Sequence, residues 1–169
     1  AVLGTSTTDQ HGKLLHRAGA QRISLVFDGD AAGREAAFRA LSGLLPEEYE
    51  LDVIQPPGGQ DPCDLLMSAG LEPFKVALEG ASGWFEFASE GLEELHGNAL
   101  NKAVDRVLGL ILRVKAPVHR EDLVQQLAQR IGMRVETLQA QLALTPEARE
   151  AARKAERERR EPPPEPVPA

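Results

Sequence analysis

The chain has 169 residues, 42% hydrophobic and 27% charged, a composition that suits a soluble globular protein with one sizeable domain, or one compact unit plus an appendage. Its apolar runs, such as Val107-Leu108-Gly109-Leu110-Ile111-Leu112, are far too short for a membrane span, and a single cysteine, Cys63, excludes an internal disulfide framework and a multi-cysteine zinc site. The net charge of -7 argues against a general nucleic-acid coat but not against nucleic-acid chemistry run through divalent metals, whose charge reverses the local field.

Ala1-Val2-Leu3-Gly4-Thr5 reads as the end of a strand entering a turn, so the chain is expected to be a fragment. No basic segment followed by an apolar one opens it, and the expected setting is the cytoplasm. Thr7 or Thr8 is a candidate cap for a helix with Leu14 and Leu15 on its buried side, ended near Gly19. Ile23-Ser24-Leu25-Val26-Phe27 then reads as a buried, parallel strand closed by Asp28. A helix over residues 31–45 follows, with Ala32, Ala36, Ala40 and Leu44 at helical spacing and Pro46 at its end. Tyr49, Leu51 and Val53 alternate with acidic residues, the pattern of a strand with one exposed face. Pro56-Pro57-Gly58-Gly59-Gln60 is a rigid turn, after which Asp61 can cap a helix with Pro62 at its first position. This alternation of strands and helices predicts an α/β unit with a short, mostly parallel sheet.

Beyond Gly80 the pattern becomes helical. Trp84, Phe85 and Phe87 start one helix, and residues 99–114 form an amphipathic second with Leu100, Val104, Val107, Leu108 and Ile111 on one side. Residues 121–131 and 135–142 give two more, separated at Gly132. Thr145-Pro146-Glu147 begins a solvated helix of alternating Glu and Arg, and residues 161–169 are a Pro-rich tail.

The chemistry concentrates at Asp28-Gly29-Asp30. Two carboxylates at the end of a strand project into the crevice outside the carboxyl edge of an open α/β sheet, where such folds place ligands. Hard oxygen donors suit magnesium or manganese rather than zinc. The next strand leads to Asp61-Pro62-Cys63-Asp64, and neighbouring strand ends in a parallel sheet allow Asp61 to converge on Asp28 and Asp30. Such a cluster can hold the ions of a phosphoryl-transfer site. Gly33 packs the helix closely on the sheet, and Arg34 is within reach of a phosphate. The plainer alternative is that Asp-Gly-Asp is only a loop and a helix cap.

The run Asp28-Gly29-Asp30-Ala31-Ala32-Gly33-Arg34-Glu35-Ala36-Ala37 resembles the Asp-x-Asp motif of the Toprim fold in bacterial replicative DNA primases of the DnaG type. Leu3-Gly4-Thr5-Ser6-Thr7-Thr8 is similar to that family's Leu-Gly-Thr turn, and Asp61-Pro62 to its later Asp-Pro motif. Pro117-Val118-His119-Arg120-Glu121 with Leu127-Ala128 resembles the Arg-Glu and Leu-Ala pattern of the helical part that follows.

The resemblance implies a partial Toprim unit, Rossmann-like with a mostly parallel sheet, followed by a helical bundle and a charged, Pro-rich tail. The corresponding divisions are residues 1–80, 81–144 and 145–169. It implies a DNA-dependent RNA polymerase, a nucleotidyltransferase that makes short RNA primers for DNA replication. Asp28 and Asp30 are then catalytic and, with Asp61 and Asp64, metal-binding, while Gly4, Thr5 and Arg34 touch nucleotide or template. The implied cofactor is Mg²⁺ or Mn²⁺, with zinc only in an N-terminal domain outside this sequence. The implied partners are single-stranded DNA template, ribonucleoside triphosphates and a replicative helicase that docks on a C-terminal region not evident here. A monomer at the replication fork in the cytoplasm, away from membranes, is expected.

Two departures stand out. The family's Glu-Gly, carrying its acid/base glutamate, lies on the strand before Leu3-Gly4-Thr5, so no residue here matches it, and the isolated chain is expected to bind metal incompletely and not to prime alone. Cys63 stands where relatives often have another Asp; Asp64 either substitutes as a ligand or caps its helix, and Cys63 reads as a small buried neighbour of the site. His11, His16, His96 and His119 lack metal-ligand spacing, and Trp84 reads as a core anchor. Two other readings compete: a HAD-like Mg-dependent phosphatase, whose strand also ends in Asp-x-Asp but favours Thr where Ala31-Ala32 stand, and a non-catalytic replication adaptor.

Overall fold

The computed structural model describes residues 9–56, 63, 66–67, 70–146 and 148–150. Helix α1 (Asp9–Arg17) leads to strand β1 (Arg22–Val26), helix α2 (Ala31–Leu44) with a 3₁₀ turn at Leu45–Glu47, and strand β2 (Glu50–Ile54). Helix α3 (Leu71–Glu79) and the two-residue strand β3 (Ser82–Gly83) follow. Helices α4 (Trp84–Ser89), α5 (Gly97–Ile111), α6 (Pro117–Ile131) and α7 (Val135–Leu144) complete the fold, with a 3₁₀ turn at Leu92–Glu94. None of the described helices is long and apolar enough to cross a membrane.

The sheet order is β1-β2-β3. β1 and β2 run parallel, with Arg22 opposite Glu50 and Val26 opposite Ile54, and α2 is the crossover between them. β3 adds antiparallel, pairing Asp52 with Gly83. The expected mostly parallel sheet is therefore present, with a short antiparallel addition that the sequence pattern did not announce.

Two expected faces are exchanged. β1 was expected to be buried, yet Arg22, Ser24 and Val26 are exposed while Ile23 and Leu25 are half-buried. β2 was expected to expose one face, yet Leu51, Asp52, Val53 and Ile54 are all buried. The reason is sheet position: β2 lies between two strands, whereas β1 pairs only with β2 among the described residues. Asp52 tolerates burial because Arg22 Nε donates to its Oδ2 at 2.6 Å from the neighbouring strand.

α1 also departs from expectation. Leu14 and Leu15 are 58% and 36% exposed rather than buried. The helix meets α2 and its 3₁₀ turn through Gly12, where an added Cβ would stand 3.4 Å from both Glu47 Cγ and Leu44 Cδ2. The Tyr49 hydroxyl donates to the Gly12 carbonyl at 2.6 Å. The helix ends as predicted at Gly19, whose φ of 76° allows Gly19 N to reach His16 O and Ala20 N to reach Leu15 O. The proposed caps Thr7 and Thr8 lie outside the described residues.

One hydrophobic core joins the α/β part to the helices. It contains Leu41 and Leu44 from α2, Leu51 and Val53 from β2, Trp84, and apolar residues of α5, α6 and α7. Leu108, Ile111 and Leu127 are each fully buried. The chain is all-helical only from Trp84 on, because the third strand of the sheet, Ser82–Gly83, lies beyond Gly80, and the packing continues across that boundary. α6 begins at Pro117, one turn earlier than its apolar pattern suggested, because proline suits a helix's first position. Gly132, φ 65°, closes it. Thr145 Oγ1 accepts from Ala148 N at 3.3 Å, capping the turn that begins after α7.

Candidate metal centre at the end of the first strand

Pairing continues one residue past β1, with Phe27 N donating to Ile54 O at 3.1 Å. The chain then turns through Asp28-Gly29-Asp30 into α2. Gln55, just beyond β2, donates its Nε2 to the Asp28 carbonyl at 2.9 Å, so the end of the neighbouring strand fixes the turn. Gly33 lies against the same carbonyl. Both carboxylates are exposed at the carboxyl edge of the sheet, as the apolar-run-then-acid pattern indicated.

Asp30 adopts extended backbone (φ −106°, ψ 179°), and its Oδ1 accepts from Gly33 N at 2.7 Å. It is therefore the N-cap of α2. One carboxylate oxygen is committed to this bond, and the other remains a possible ligand atom. The bond also partly neutralises the positive end of the helix that a cation would otherwise face.

Asp61, Asp64, Gly4 and Thr5 all lie outside the described residues. Cys63 is described and is exposed, which corrects its expected role as a buried neighbour of the site. Among the described residues, no group of three or more His, Cys, Asp or Glu side chains could hold a metal. Asp28 and Asp30 fit a hard divalent cation by donor chemistry and accessibility, and alone they provide a partial ligand set.

Arg34 was expected to reach a phosphate, but its described partners belong to the protein. Nη2 donates to the Phe87 carbonyl at 3.0 Å, and Nη1 lies 3.4 Å from Glu90 Oε2. The guanidinium sits 4.7 Å from the Phe87 ring centroid and 5.8 Å from that of Phe38. Nearby, Arg106 of α5 covers Phe38 at 4.1 Å and pairs with Glu35 at 2.8 Å.

Beside the turn is an open cleft of roughly 540 Å³, lined by Gly29, Gln55, Glu86, Glu90 and Arg130 among others. Arg130 bonds Ser89 and Glu86, joining α6 to α4. The buried Ser89 hydroxyl in turn donates to the Phe85 carbonyl at 2.6 Å. Sequence reasoning missed Arg130 and Glu86 because 44 residues separate them and neither lies in a motif. The pKa of Arg22 is raised by its hydrogen bond to Asp52, and that of the Tyr49 phenol is raised by burial and then by Glu47.

Residues 1–66 match the family described as Toprim-like, and residues 98–136 match the DnaB-helicase binding domain of primase. The chain is 36% identical over 150 residues to a DNA primase of Listeria monocytogenes, covering 84% of this chain and 24% of that protein. Among solved structures, a DnaG primase catalytic domain bound to single-stranded DNA is 33% identical, covering 78% of this chain and 43% of that one, with a TM-score of 0.62. The zinc-binding and RNA polymerase domains of the Aquifex aeolicus primase are 25% identical, covering 82% of this chain and 33% of that one, with a TM-score of 0.68. The fold is Toprim-like, and the chain spans about a quarter of the length of the curated relatives it matches. These relatives are DNA primases, which sets aside the phosphatase alternative.

Proposed function

We infer that this chain, similar to DnaG-type DNA primases over most of its length, carries part of the catalytic machinery that makes short RNA primers on single-stranded DNA. The observation that carries the reading is the Asp28-Gly29-Asp30 turn. It stands at the carboxyl edge of a parallel strand pair, within the segment that matches the Toprim-like family. The activity is that of a nucleotidyltransferase, a DNA-directed RNA polymerase.

Asp28 and Asp30, joined by Asp61 and Asp64, would hold Mg²⁺ or Mn²⁺. When bound, such ions offset the charge of a triphosphate during phosphoryl transfer. This chain's own contribution is placement. Gln55 and Gly33 fix the Asp28 main chain, and the α2 cap fixes Asp30. Gly4 and Thr5 are proposed to contact nucleotide or template.

Single-stranded DNA template and ribonucleoside triphosphates are the proposed substrates; the family resemblance would put Arg34 near their phosphates, whereas its guanidinium here is held by the Phe87 carbonyl. A replicative helicase is the proposed partner, supported by the match over residues 98–136, and bacterial cytoplasm is the proposed setting. Zinc is assigned no residue of this chain, and a monomer is proposed. Residues 1–80, 81–144 and 145–169 are proposed as metal-binding region, helical subdomain and tail.

The test is a segment exchange: this sequence replaces its counterpart in the Listeria monocytogenes primase, and primer synthesis is measured on single-stranded template with Mg²⁺. Template-dependent synthesis is expected, with loss in the Asp28→Asn and Asp30→Asn versions. Equal synthesis with both substitutions would remove the two aspartates from the catalytic site.

A further inference from the structure

Arg34 joins two separate elements, the start of α2 and the end of α4. Its main-chain N–H donates to the Asp30 carbonyl at 3.0 Å, so it belongs to the first turn of α2. Its side chain crosses to α4 and donates to the Phe87 carbonyl at 3.0 Å. That carbonyl lies in the last turn of a short helix, where carbonyls lack partners within the helix, so an arginine there satisfies an otherwise orphaned acceptor. The guanidinium also lies over the faces of Phe87 and Phe38. Its contact with the exposed Glu90, at 3.4 Å, is the weakest of the set.

The first turn of α2 is itself locked to the acidic turn. Asp30 accepts from Gly33 N, and Gly33 rests on the Asp28 carbonyl. A displacement of this helical turn by a fraction of an ångström therefore moves both carboxylates. The cap at the exposed start of α2 is a single hydrogen bond. Beside that cap and the Gln55 bond to the Asp28 carbonyl, the link to α4 is the attachment that holds the first turn of α2 itself.

We propose that Arg34 is a positioning residue. By tying the start of α2 to the Phe87 carbonyl, it sets the placement of the Asp28 and Asp30 carboxylates. The metal consequence rests on the reading of that turn given above, whereas the geometric part stands independently of it.

The test uses the full chain with two readouts, amide hydrogen exchange at Gly33 and Mn²⁺ broadening of the Asp28 and Asp30 NMR signals. Arg34→Met keeps much of the aliphatic packing and removes the donor. It is expected to speed Gly33 exchange about tenfold and to raise the Mn²⁺ concentration needed for broadening. Arg34→Lys, which restores a donor without the planar fork, is expected to lie between Arg34→Met and the natural chain, and it carries the test if Arg34→Met does not fold.

Arg106→Met is the control, since it removes a guanidinium from Phe38 and the ion pair to Glu35 of α2 while leaving the Arg34 bond to the Phe87 carbonyl in place. It should leave Gly33 exchange unchanged. Unaltered Gly33 exchange in Arg34→Met, or equal acceleration in Arg106→Met, overturns the proposal. Accelerated exchange specific to Arg34, with no Mn²⁺ broadening in the natural chain, supports the positioning role and removes the metal reading.

Discussion

Gly33 lies so close to Asp28 that a Cβ built on it would stand 2.1 Å from the Asp28 carbonyl oxygen. No side chain fits at that distance, and the obstacle is backbone rather than a rotatable group. Gly33→Ala must therefore push α2 away from the acidic turn. A loss of about 2–4 kcal/mol is expected, with Asp28 signals displaced in the NMR spectrum. Thermal unfolding checks it, and a change under about 0.5 kcal/mol would show that the contact relaxes freely.

Asp30 combines two roles that substitutions can separate. Asparagine caps helices about as well as aspartate, so Asp30→Asn should keep the stability of α2 while weakening Mn²⁺ binding. Asp30→Ala should lose the Mn²⁺ contact and about 1 kcal/mol of stability together. Asp28→Asn should match Asp30→Asn, since the observed protein contact of Asp28 is through its main-chain carbonyl. Urea midpoints and Mn²⁺ titration read the two effects independently. Mn²⁺ binding that survives in both asparagine variants would leave these residues as loop and cap alone.

What could be read from the sequence was what short-range pattern encodes. The strand ending before Asp28, though not its burial, the helical spacing of Ala32, Ala36, Ala40 and Leu44, though Ala32 is exposed, and the glycine at position 19 each act within a few residues, and each is realised. The buried Asp52 was not legible, because its partner Arg22 is 30 residues away and meets it only through the strand register. The exposure of Leu14 and Leu15 was not legible either, since Gly12, a residue with no side chain, makes the close approach. β3 has only two residues and carries no periodicity. At the site, the turn was found by motif and order. The attachment of Arg34 to Phe87 spans 53 residues and depends on how α4 packs.

Leu127 of α6 is fully buried in the core that also contains Leu41, Leu51 and Trp84. Since that core crosses the boundary proposed at residues 80/81, the two sides should unfold together. Leu127→Ala is expected to cost about 2–5 kcal/mol and to shift every probe equally. Trp84 fluorescence, far-ultraviolet circular dichroism and amide signals from β1 should share one urea midpoint in both proteins. Separate midpoints for β1 and α6 would establish two independently folding units instead.

The Tyr49 hydroxyl donates to the Gly12 carbonyl, tying α1 to the residue that leads into β2. Burial, and then the charge of Glu47, raise its pKa above the ordinary phenol value of 10.0. The folded chain therefore favours the protonated phenol more than the unfolded chain does. Its contribution to stability is complete below about pH 10 and is lost as pH rises through the raised folded value. Tyr49→Phe should be less stable at neutral pH, because the Gly12 carbonyl loses its donor, and should lack this part of the alkaline decline. Urea midpoints taken between about pH 8 and pH 12 test the sign. Parallel decline of the two proteins across that range would show that the phenol titrates alike folded and unfolded, and that the bond to Gly12 does not hold its proton.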